Sequence, residues 1–381
     1  MPSATSAVLG LAAQLREAGR DIISLGAGEP DFDTPEHIKR AAIQAIHDGQ
    51  TKYTAIDGTS QLKAAIQRKF ERDNQLVYSP DQILVSVGAK HTLFNACMGV
   101  LSAGDEAIIP APYWVSYPDM VRVAEGIPII IDTGIEDGFK ITPGKLEAAI
   151  TDRTRILFLN SPSNPTGSCY TRNELVALGK VLEQHPDIVV LADDIYEHIY
   201  WSDEPFCSLA TACPALYDQV VTINGVSKCY AMTGWRVGYA GGPPEVIKAM
   251  KTIQSQITSN PCSISQVAAA AALDGDQACV GEMLKAYKKR SDYIVAALND
   301  VPGFECREGE GAFYAFPKVT GAMAAKGLET DAELVRLFLE RGDVVMVPGA
   351  PFGAPGYLRI SFACSLEELR DSVRRIRKAL S

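Results

Sequence analysis

The sequence predicts an α/β protein with a mostly parallel main sheet, and two observations support this fold class. Between about residues 36 and 290, helical patterns of apolar residues alternate with short apolar runs rich in β-branched residues. Nearly continuous apolar strands separated by helices are typical of a parallel sheet that is covered on both faces. The predicted strands span residues 83–87, 107–109, 127–131, 156–159, 188–191 and 220–223. Right-handed crossovers between such strands would place ligand chemistry at their carboxyl ends.

The pattern changes near residue 282, and the remainder of the chain predicts a second, smaller α/β domain. It contains a long amphipathic helix over 282–298, an aromatic segment at 311–316, a helix over 331–341, a strand over 357–362 and a final helix over 366–380. We expect residues 1–35 to form an N-terminal arm and part of the small domain. Residues 36–281 would form the large domain, and residues 282–381 the C-terminal small domain.

The charge balance argues against a nucleic-acid-binding protein. The 36 Lys and Arg residues and the 46 Asp and Glu residues give a formal net charge of −10. A surface with this balance repels phosphate backbones. An anionic ligand would therefore have to be bound by a few cations placed in a pocket.

The cysteine, histidine and apolar patterns predict a soluble, cytoplasmic protein with no metal site and no membrane partner. Nine cysteines without a Cys-x-x-Cys pair fit neither a disulfide framework nor a thiolate zinc site, and they favour a reducing compartment. The five histidines lack metal-site spacing such as His-Glu-x-x-His. The longer apolar runs, at 127–131 and 267–273, are far shorter than the ~20 residues that span a bilayer. The N-terminal segment also lacks the basic region of a signal peptide.

The most informative segment follows the predicted strand at 220–223 and contains Lys228. It reads Asn-Gly-Val-Ser-Lys-Cys-Tyr-Ala-Met-Thr-Gly-Trp-Arg, so Lys228 lies just beyond the carboxyl end of a strand. A lysine among small and aromatic neighbours can be desolvated, which lowers its pKa and makes the amine nucleophilic. Considered alone, Lys228 could equally be a surface lysine in a loop. Its interpretation therefore depends on the other polar elements of the chain.

Two segments place polar side chains directly after predicted strands. The apolar strand at 188–191 leads into Asp193, and a carboxylate there is costly unless it pairs with a cation such as a protonated ligand ring. The alternative is an aspartate that caps the next helix. The strand at 156–159 is followed by Asn-Ser-Pro-Ser-Asn-Pro-Thr-Gly, whose prolines restrict the backbone around Asn164 and so fix the direction of its amide. A plain turn would also explain this second segment.

Three further positions are suited to bind anions. At Gly88 a strand turns into a helix, and the free N–H groups and positive dipole of a helix start form a natural phosphate site. The segment matches neither a Walker A loop nor a Gly-x-Gly-x-x-Gly fingerprint. Arg236 and Arg359 can each hold phosphate or carboxylate through two parallel hydrogen bonds. Arg359 lies in the apolar strand at 357–362, and burying its charge there is costly unless an anion pairs with it. The alternative interpretation is an arginine on an edge strand that is exposed to solvent.

Together and in this order, these motifs resemble the class I, fold-type-I aminotransferases, specifically the bacterial aspartate aminotransferase branch that includes aspartate/prephenate aminotransferases. The resemblance extends from Pro-Ser-Ala-Thr at residues 2–5, through Gly-Glu-Pro-Asp-Phe at 28–32, to Arg-Ile-Ser at 359–361. Its most specific motifs are Asn-Pro-Thr-Gly, Asp-Asp-Ile-Tyr and Ser-Lys-x-x-x-Met-Thr-Gly-Trp-Arg. It implies a large, mostly parallel PLP-transferase domain of the seven-stranded type, a smaller α/β domain, and pyridoxal 5′-phosphate (PLP) as cofactor.

The resemblance also implies a role for each site residue. Lys228 would form the Schiff base, Asp193 would face the pyridine nitrogen, and Tyr196 and Asn164 would hydrogen bond the ring oxygen O3′. The other implied cofactor-binding residues are Trp114 on the ring, Gly88, Ala89, Lys90, Ser227 and Arg236 at the phosphate, and Tyr53 at the phosphate of the neighbouring subunit. The implied substrate-binding residues are Gly28, Lys90, Trp114, Asn164, Arg359 and Thr5. Because Tyr53 would serve the other subunit, the resemblance implies a homodimer with shared active sites.

The sequence departs from the family pattern at two places. Gly225 stands where many relatives carry a phosphate-binding serine, so Ser227 or the helix end would have to compensate. Relatives also carry a further arm with a basic residue before the proline at residue 2, which leaves the role of the N-terminal lid open.

The implied function is transfer of an amino group between L-aspartate or L-glutamate and a 2-oxo acid, 2-oxoglutarate or oxaloacetate, in a ping-pong cycle that alternates between PLP and its amine form. Asp193 would keep the cofactor ring protonated, and the freed Lys228 would move the proton between substrate Cα and cofactor C4′. The position of Lys90 favours a substrate with two carboxylates. A lysine beside the positive end of a helix is unfavourable unless an anion accompanies it.

Several alternatives stay open. A prephenate or aromatic amino acid aminotransferase of the same fold could use Thr5, Lys90 and Arg359 equally, since prephenate also carries two carboxylates. The same cofactor could support β-elimination or decarboxylation. A ligand-sensing module of a transcription regulator would need a basic DNA-binding extension, which the net charge of −10 argues against. A scaffold protein would leave the costly polar elements without a purpose.

Overall fold

Helices and strands alternate along most of the chain, and a computed structural model describes them for residues 4–381, with side chains from residue 10 onward. The strands are β1 (Ile23–Ser24), β2 (Ile83–Ser86), β3 (Glu106–Ala111), β4 (Ile127–Asp132), β5 (Thr154–Asn160), β6 (Val189–Asp193), β7 (Val220–Gly225), β8 (Gly238–Gly241), β9 (Tyr314–Ala315), β10 (Val344–Val345), β11 (Val347–Pro348) and β12 (Leu358–Ser361). The helices are α1 (Ala4–Glu17), α2 (Glu36–His47), α3 (Ser60–Lys69), α4 (Ala89–Val100), α5 (Tyr117–Val123), α6 (Pro143–Ala149), α7 (Arg172–Leu182), α8 (Leu209–Ala212), α9 (Pro244–Ile257), α10 (Ser263–Asp274), α11 (Ala278–Asn299), α12 (Thr320–Lys326), α13 (Asp331–Gly342) and α14 (Leu366–Leu380). Within residues 4–381, no helix combines the length and the apolar composition needed to cross a membrane.

A seven-stranded sheet in the order β2-β8-β7-β6-β5-β3-β4 forms the centre of the fold. Neighbouring strands are parallel except at β8, which pairs antiparallel with both β2 and β7. The other six strands therefore run in one direction and end at the same edge of the sheet. The predicted α/β class with a mostly parallel sheet is confirmed, and the six predicted strands form with shifts of at most two residues at either end.

Strand β8 is the one strand of this sheet that the sequence analysis missed. It is short and has glycine at both ends, and glycine weakens the pattern by which a strand is recognised. Tertiary packing explains the first of these glycines. A Cβ atom at Gly238 would lie 2.2 Å from the backbone nitrogen of Ala89. The missing side chain thus lets β8 lie directly against the start of α4.

The central strands divide their side chains between two cores, one on each face of the sheet. In β5, Leu157 and Leu159 belong to one core, whereas Ile156 and Phe158 belong to the other. This alternation follows from the two-residue repeat of a strand. Side chains from α4, α5 and α9 complete one core, and side chains from α2, α3, α7 and α10 complete the other. Both faces of the sheet are therefore covered.

A second structural unit joins the beginning and the end of the chain. β1 pairs in parallel with β10, and β11, β12 and β9 form a three-stranded antiparallel sheet. Its core combines Ile23 and Leu25 with side chains of α11, α13 and α14. The predicted final helix has the bounds of α14, whereas the long helix begins at Ala278 rather than at 282. The domain boundaries at residues 36 and 282 stay predictions.

Candidate active site

A cavity of about 340 Å³ lies at the carboxyl edge of the seven-stranded sheet. Five of the parallel strands contribute side chains to it at or beyond their carboxyl ends. Strands β2, β3, β5, β6 and β7 lead to the segments at 89–90, 114–117, 160–164, 193–196 and 227–228. The predicted site residues that line it are Gly28, Ala89, Lys90, Trp114, Asn164, Asp193, Tyr196, Ser227, Lys228, Arg236 and Arg359. Residues separated by up to 331 positions in the sequence therefore meet in one place.

Lys228 lies on the floor of this cavity, half-buried. Its Nζ atom donates a hydrogen bond to the carbonyl oxygen of Gly28 and lies 5.8 Å from the ring centroids of Tyr196 and Phe313. Burial, helped by the positive charge of Arg359, lowers the pKa of the Lys228 amine to about 8. A substantial share of this amine is therefore neutral near pH 7–8, as a nucleophile or proton acceptor requires.

Asp193, the last residue of β6, is 5% exposed and lies in the same cavity. Its Oδ2 atom accepts a hydrogen bond of 2.6 Å from the hydroxyl of Tyr117, and its Oδ1 atom accepts one of 3.3 Å from the backbone of Ile195. Burial raises the pKa of Asp193 to about 6, and the bond from Tyr117 opposes that rise. The carboxylate is thus mostly ionised at pH 7, with acceptor capacity left for a cationic group.

Arg359 and Asn164 line the cavity side by side. Arg359 is 1% exposed, which excludes the alternative of an edge-strand arginine in solvent. It donates hydrogen bonds of 3.2 Å to Oδ1 of Asn164 and 2.8 Å to the carbonyl oxygen of Gly26. Its Nε atom is buried without a partner among the described residues. A buried charge with an unused donor calls for an anion, and a carboxylate would satisfy it.

A second place for an anion lies at the start of α4. Ala89 and Lys90 occupy its first turn, where backbone N–H groups have no helical acceptor. The N–H of Gly88 already bonds the carbonyl oxygen of Ser86 at 2.8 Å. The φ of Gly88 is +85°, and a Cβ atom there would lie 2.4 Å from the guanidinium of Arg236. Glycine therefore lets Arg236 approach the helix start, which adds a full charge to the helix dipole.

Trp114 and Lys90 form the outer wall. The Nζ atom of Lys90 lies 4.8 Å from the ring centroid of Trp114, and this ring packs edge-on against Tyr117 at 5.5 Å. Lys90 is exposed and has no carboxylate partner among the described residues. Burial of part of its stem and the nearby charge of Arg236 lower the pKa of its amine. Lys90 is therefore a cation beside the cavity, placed to meet a ligand carboxylate.

Among the described residues, two predicted positions do not line the cavity. Gly88 lies just behind its wall, and Tyr53 is 92% exposed elsewhere on the surface. The side chain of Thr5 lies outside the described part of the chain. Gly225, one of the two departures from the family pattern, pairs with Gly238 in the sheet, and a Cβ atom there would lie 3.0 Å from the carbonyl oxygen of Val237. The buried Ser227 lines the cavity instead.

The structure adds three residues that the sequence analysis did not single out. Tyr117 bonds Asp193, and the hydroxyl of Tyr314 lies 2.9 Å from that of Tyr196. Asn160 bonds the carbonyl oxygen of Asp193 at 2.8 Å and accepts a bond of 2.8 Å from the backbone of Asn164. Only Asn160 had a sequence signal, since it directly follows the predicted strand at 156–159 and begins the Asn-Ser-Pro motif.

Behind the loop that carries Tyr196 lies a buried ion network. Ligand-type atoms of Asp73, Glu197 and His198 lie within 4.8 Å of one another. Burial alone would lower the pKa of His198, but Glu197 and Asp73 outweigh it and raise that pKa to about 10. Lys69 also forms an ion pair with Glu197, so the group fastens the loop after β6 to the end of α3.

Comparison with known proteins gives matches along the whole chain. Residues 20–376 match the family described as aminotransferase class I and II. The aspartate/prephenate aminotransferase of Nitrosomonas europaea is 53% identical over 386 residues, which cover 100% of this chain and 97% of that protein. The crystal structure of the aspartate aminotransferase from Rhizobium meliloti has a TM-score of 0.94 at 49% identity and covers 98% of this chain and 94% of that chain. The aspartate aminotransferase from Thermus thermophilus with maleate has a TM-score of 0.94 at 41% identity, and the match covers 100% of this chain and 97% of that chain.

The pKa of Lys228 predicts how its reactivity depends on pH. Only the neutral amine reacts with an acylating reagent, so acetylation of Lys228 should rise with pH through a single midpoint at about 8. An ordinary lysine has its midpoint at about 10.4. The measurement is competitive labelling of the ligand-free protein with trace acetic anhydride at a series of pH values, read by peptide mass spectrometry. The exposed Lys289 serves as the internal reference. A Lys228 midpoint above about 10 would contradict the desolvated setting.

Proposed function

The chain belongs to the class I and II aminotransferase family, and from this premise we propose that it transfers the amino group between L-aspartate or L-glutamate and a 2-oxo acid, with PLP as its cofactor. The 2-oxo acids are 2-oxoglutarate and oxaloacetate. The observation that carries the proposal is the position of Lys228. Its amine, with a pKa of about 8, faces the same cavity as the buried carboxylate of Asp193 and the guanidinium of Arg359.

The residues present fit PLP at three points. Asp193 is a buried carboxylate with unused acceptor capacity, which suits the protonated pyridine nitrogen. The start of α4 with Arg236, supplemented by Ser227, suits the phosphate. Lys228 supplies the amine that would hold the aldehyde. We therefore assign the cofactor to this cavity, with Trp114 at the ring face and with Tyr196 and Asn164 at the ring oxygen.

When bound, PLP supplies an aldehyde that condenses with amines and a protonated ring that withdraws electrons from Cα of the substrate. Asp193 keeps the ring nitrogen protonated by facing it with a negative charge. Lys228, with its lowered pKa, would accept the proton from Cα of the substrate and return it at C4′ of the cofactor. Burial keeps the pKa of Tyr196 well above its usual range, so its hydroxyl stays a hydrogen-bond donor.

Recognition of a dicarboxylic substrate needs two anion contacts. Arg359 would bind the α-carboxylate through its unused Nε edge, with Asn164 and the backbone at Gly28 beside it. Lys90 would meet the distal carboxylate from the outer wall. Two cations that line one cavity would favour substrates with two carboxylates.

A homodimer with shared active sites is part of the proposal. It is supported by Tyr53, a large aromatic residue that is 92% exposed and does not line its own chain's cavity. The nine cysteines are all free thiols, which supports a cytoplasmic location.

A second candidate function is transamination of prephenate. It is favoured by the name of the 53% identical relative, an aspartate/prephenate aminotransferase, and by a cavity that offers two cations to any substrate with two carboxylates. An aromatic aminotransferase from Pyrococcus horikoshii OT3 also shares the fold, with a TM-score of 0.90 at 36% identity. Relative rates with oxaloacetate, prephenate and an aromatic oxo acid, with glutamate as the amino donor, decide between these substrates.

The proposal predicts a visible absorption that depends on Lys228. The protein loaded with PLP should absorb in the visible range and should bleach when glutamate or aspartate is added. Lys228→Ala should bind PLP without that linkage, and its turnover should fall by at least about 10²–10⁴-fold because the proton carrier is lost. Spectra and single-turnover kinetics measure both effects.

The matched control is Lys289→Ala, which removes an exposed lysine that does not line the cavity. It should keep both the absorption and the rate. A Lys228→Ala variant that turns over like the wild type would refute the assignment of Lys228.

Removal of Lys90 should weaken binding of dicarboxylic substrates selectively. In Lys90→Ala the KM for L-aspartate should rise about 3- to 10-fold, because one partly solvated charge-assisted contact is lost. The KM for a monocarboxylic amino acid such as L-alanine should stay within about two-fold. Steady-state kinetics with both donors measure the ratio, and Lys248→Ala, on the exposed side of α9, is the control. An unchanged aspartate KM would remove Lys90 from the substrate site.

The shared site predicts complementation between two variants that impair different residues of it. Lys228→Ala lacks the amine, and Tyr53→Ala lacks the residue that would reach the partner's phosphate. In a mixed dimer one site combines an intact Lys228 with an intact Tyr53, so mixing after partial unfolding and reassociation should raise activity above the average of the two parents. Activity no greater than the average of the two parents would contradict the shared site, as would a particle of 41.0 kDa in sedimentation.

A further inference from the structure

Tyr314 is a buried residue that touches two groups of the proposed site at once. It is 2% exposed and lies on β9, directly opposite Ser361 of β12. Its hydroxyl is 2.9 Å from the hydroxyl of Tyr196, and its ring centroid is 4.7 Å from the guanidinium carbon of Arg359. One side chain therefore links the phenol assigned to the cofactor with the guanidinium assigned to the substrate.

We propose that Tyr314 is a positioning residue with two separable roles: its hydroxyl orients the Tyr196 phenol toward the cofactor, and its ring holds the Arg359 guanidinium in the orientation that receives the substrate carboxylate. This inference rests on the proposed function, since it concerns the same cavity. It assigns roles to different atoms of one side chain, so each role can be removed separately.

The direction of the hydrogen bond supports the first role. Tyr196 has a single O–H, which can serve the cofactor only if Tyr196 accepts from its other neighbour. The guanidinium of Arg359 lies against the ring of Tyr314, and its positive charge stabilises negative charge on the Tyr314 oxygen, which favours Tyr314 as the donor. The geometry of the hydroxyl pair allows either direction, and the proposal assigns Tyr314 as the donor, which leaves the proton of Tyr196 to point into the cavity. A hydroxyl that accepts one hydrogen bond also donates the next one more strongly.

The packing around Arg359 supports the second role. Its guanidinium lies 4.7 Å from the ring of Tyr314 and 5.1 Å from the ring of Phe352. Aromatic faces attract a guanidinium without using its N–H donors. Two donors bond Asn164 and Gly26, and Nε stays available in the described structure. The rings thus fix the plane of the guanidinium while its free edge remains open to a ligand.

Tyr314→Phe tests the hydroxyl alone. A weaker hydrogen bond from Tyr196 stabilises the deprotonated ring oxygen of the cofactor less, so the pH midpoint of the visible absorption of the PLP-loaded protein should rise by about 0.2–0.5 units. The Kd for maleate, a dicarboxylate that cannot be transaminated, should stay within about two-fold because the ring is retained. Absorption titrations from pH 5 to 10 and maleate titrations measure the two quantities.

Tyr314→Leu tests the ring. It should show the same midpoint shift as Tyr314→Phe and, in addition, bind maleate about 3- to 30-fold more weakly, because the cation–π contact is lost. If this variant fails to fold, Tyr314→Met replaces it, since its flexible side chain adapts to the same space.

Tyr287→Phe is the matched control. Tyr287 is fully buried and packs against Phe313, which neighbours Tyr314, but its hydroxyl has no partner among the described residues and it does not line the cavity. Removing this hydroxyl should leave the absorption midpoint and the maleate Kd unchanged.

The outcomes separate the inference from the function on which it rests. A wild-type protein that shows no visible absorption with PLP refutes the proposed function itself. If the wild type absorbs and Tyr314→Phe has an unchanged midpoint, the hydroxyl role is wrong. If Tyr314→Phe weakens maleate binding as much as Tyr314→Leu does, the ring role is wrong.

Discussion

The burial of charge at one edge of the sheet is the constraint on which the candidate site depends. Lys228, Asp193 and Arg359 all lie there largely out of solvent, and burial favours the neutral form of each group. It lowers the pKa of Lys228 and of Arg359 and raises the pKa of Asp193. Isolated buried charges cost several kcal/mol each, so each must find a partner. Gly28 accepts a hydrogen bond from Lys228, and Tyr117 donates one to Asp193. Nε of Arg359, however, has no partner among the described residues. A ligand that combines a cationic ring with anionic groups would complete the arrangement.

The site is built from both structural units. Asp193 ends strand β6 and Lys228 lies in the loop after β7 of the large sheet, while β12 and β9 of the second unit supply Arg359 and Tyr314. Asp193 and Lys228 are therefore positioned by the large sheet, and the guanidinium of Arg359 by the second unit. The ion network of Lys69, Glu197 and His198 anchors the loop after β6 from behind. The geometry between the reacting groups thus depends on packing well outside the cavity.

The sequence predicted most of the site because its residues follow strong local signals. Asn164, Asp193 and Lys228 each come a few residues after an apolar strand, and parallel strands end at one edge. The same reasoning could not find Tyr117 or Tyr314. Tyr117 bonds a residue 76 positions away and Tyr314 one 118 positions away, and neither lies in a recognisable motif. Strand β8 was missed for a related reason, since its first glycine, Gly238, is required by the neighbouring helix start and not by the strand itself.

The amino-acid sequence by itself determined the alternation of strands and helices, the position of Lys228 after a strand, and the residue types that the chemistry needs, because these depend on periodicity and on neighbours along the chain. Tertiary structure alone decided between the alternatives for Arg359, which is buried rather than solvated, and placed Tyr314 between two functional groups. It also set the desolvation that lowers the pKa of Lys228. Burial and long-range pairing arise only when distant segments pack together, so no local pattern encodes them.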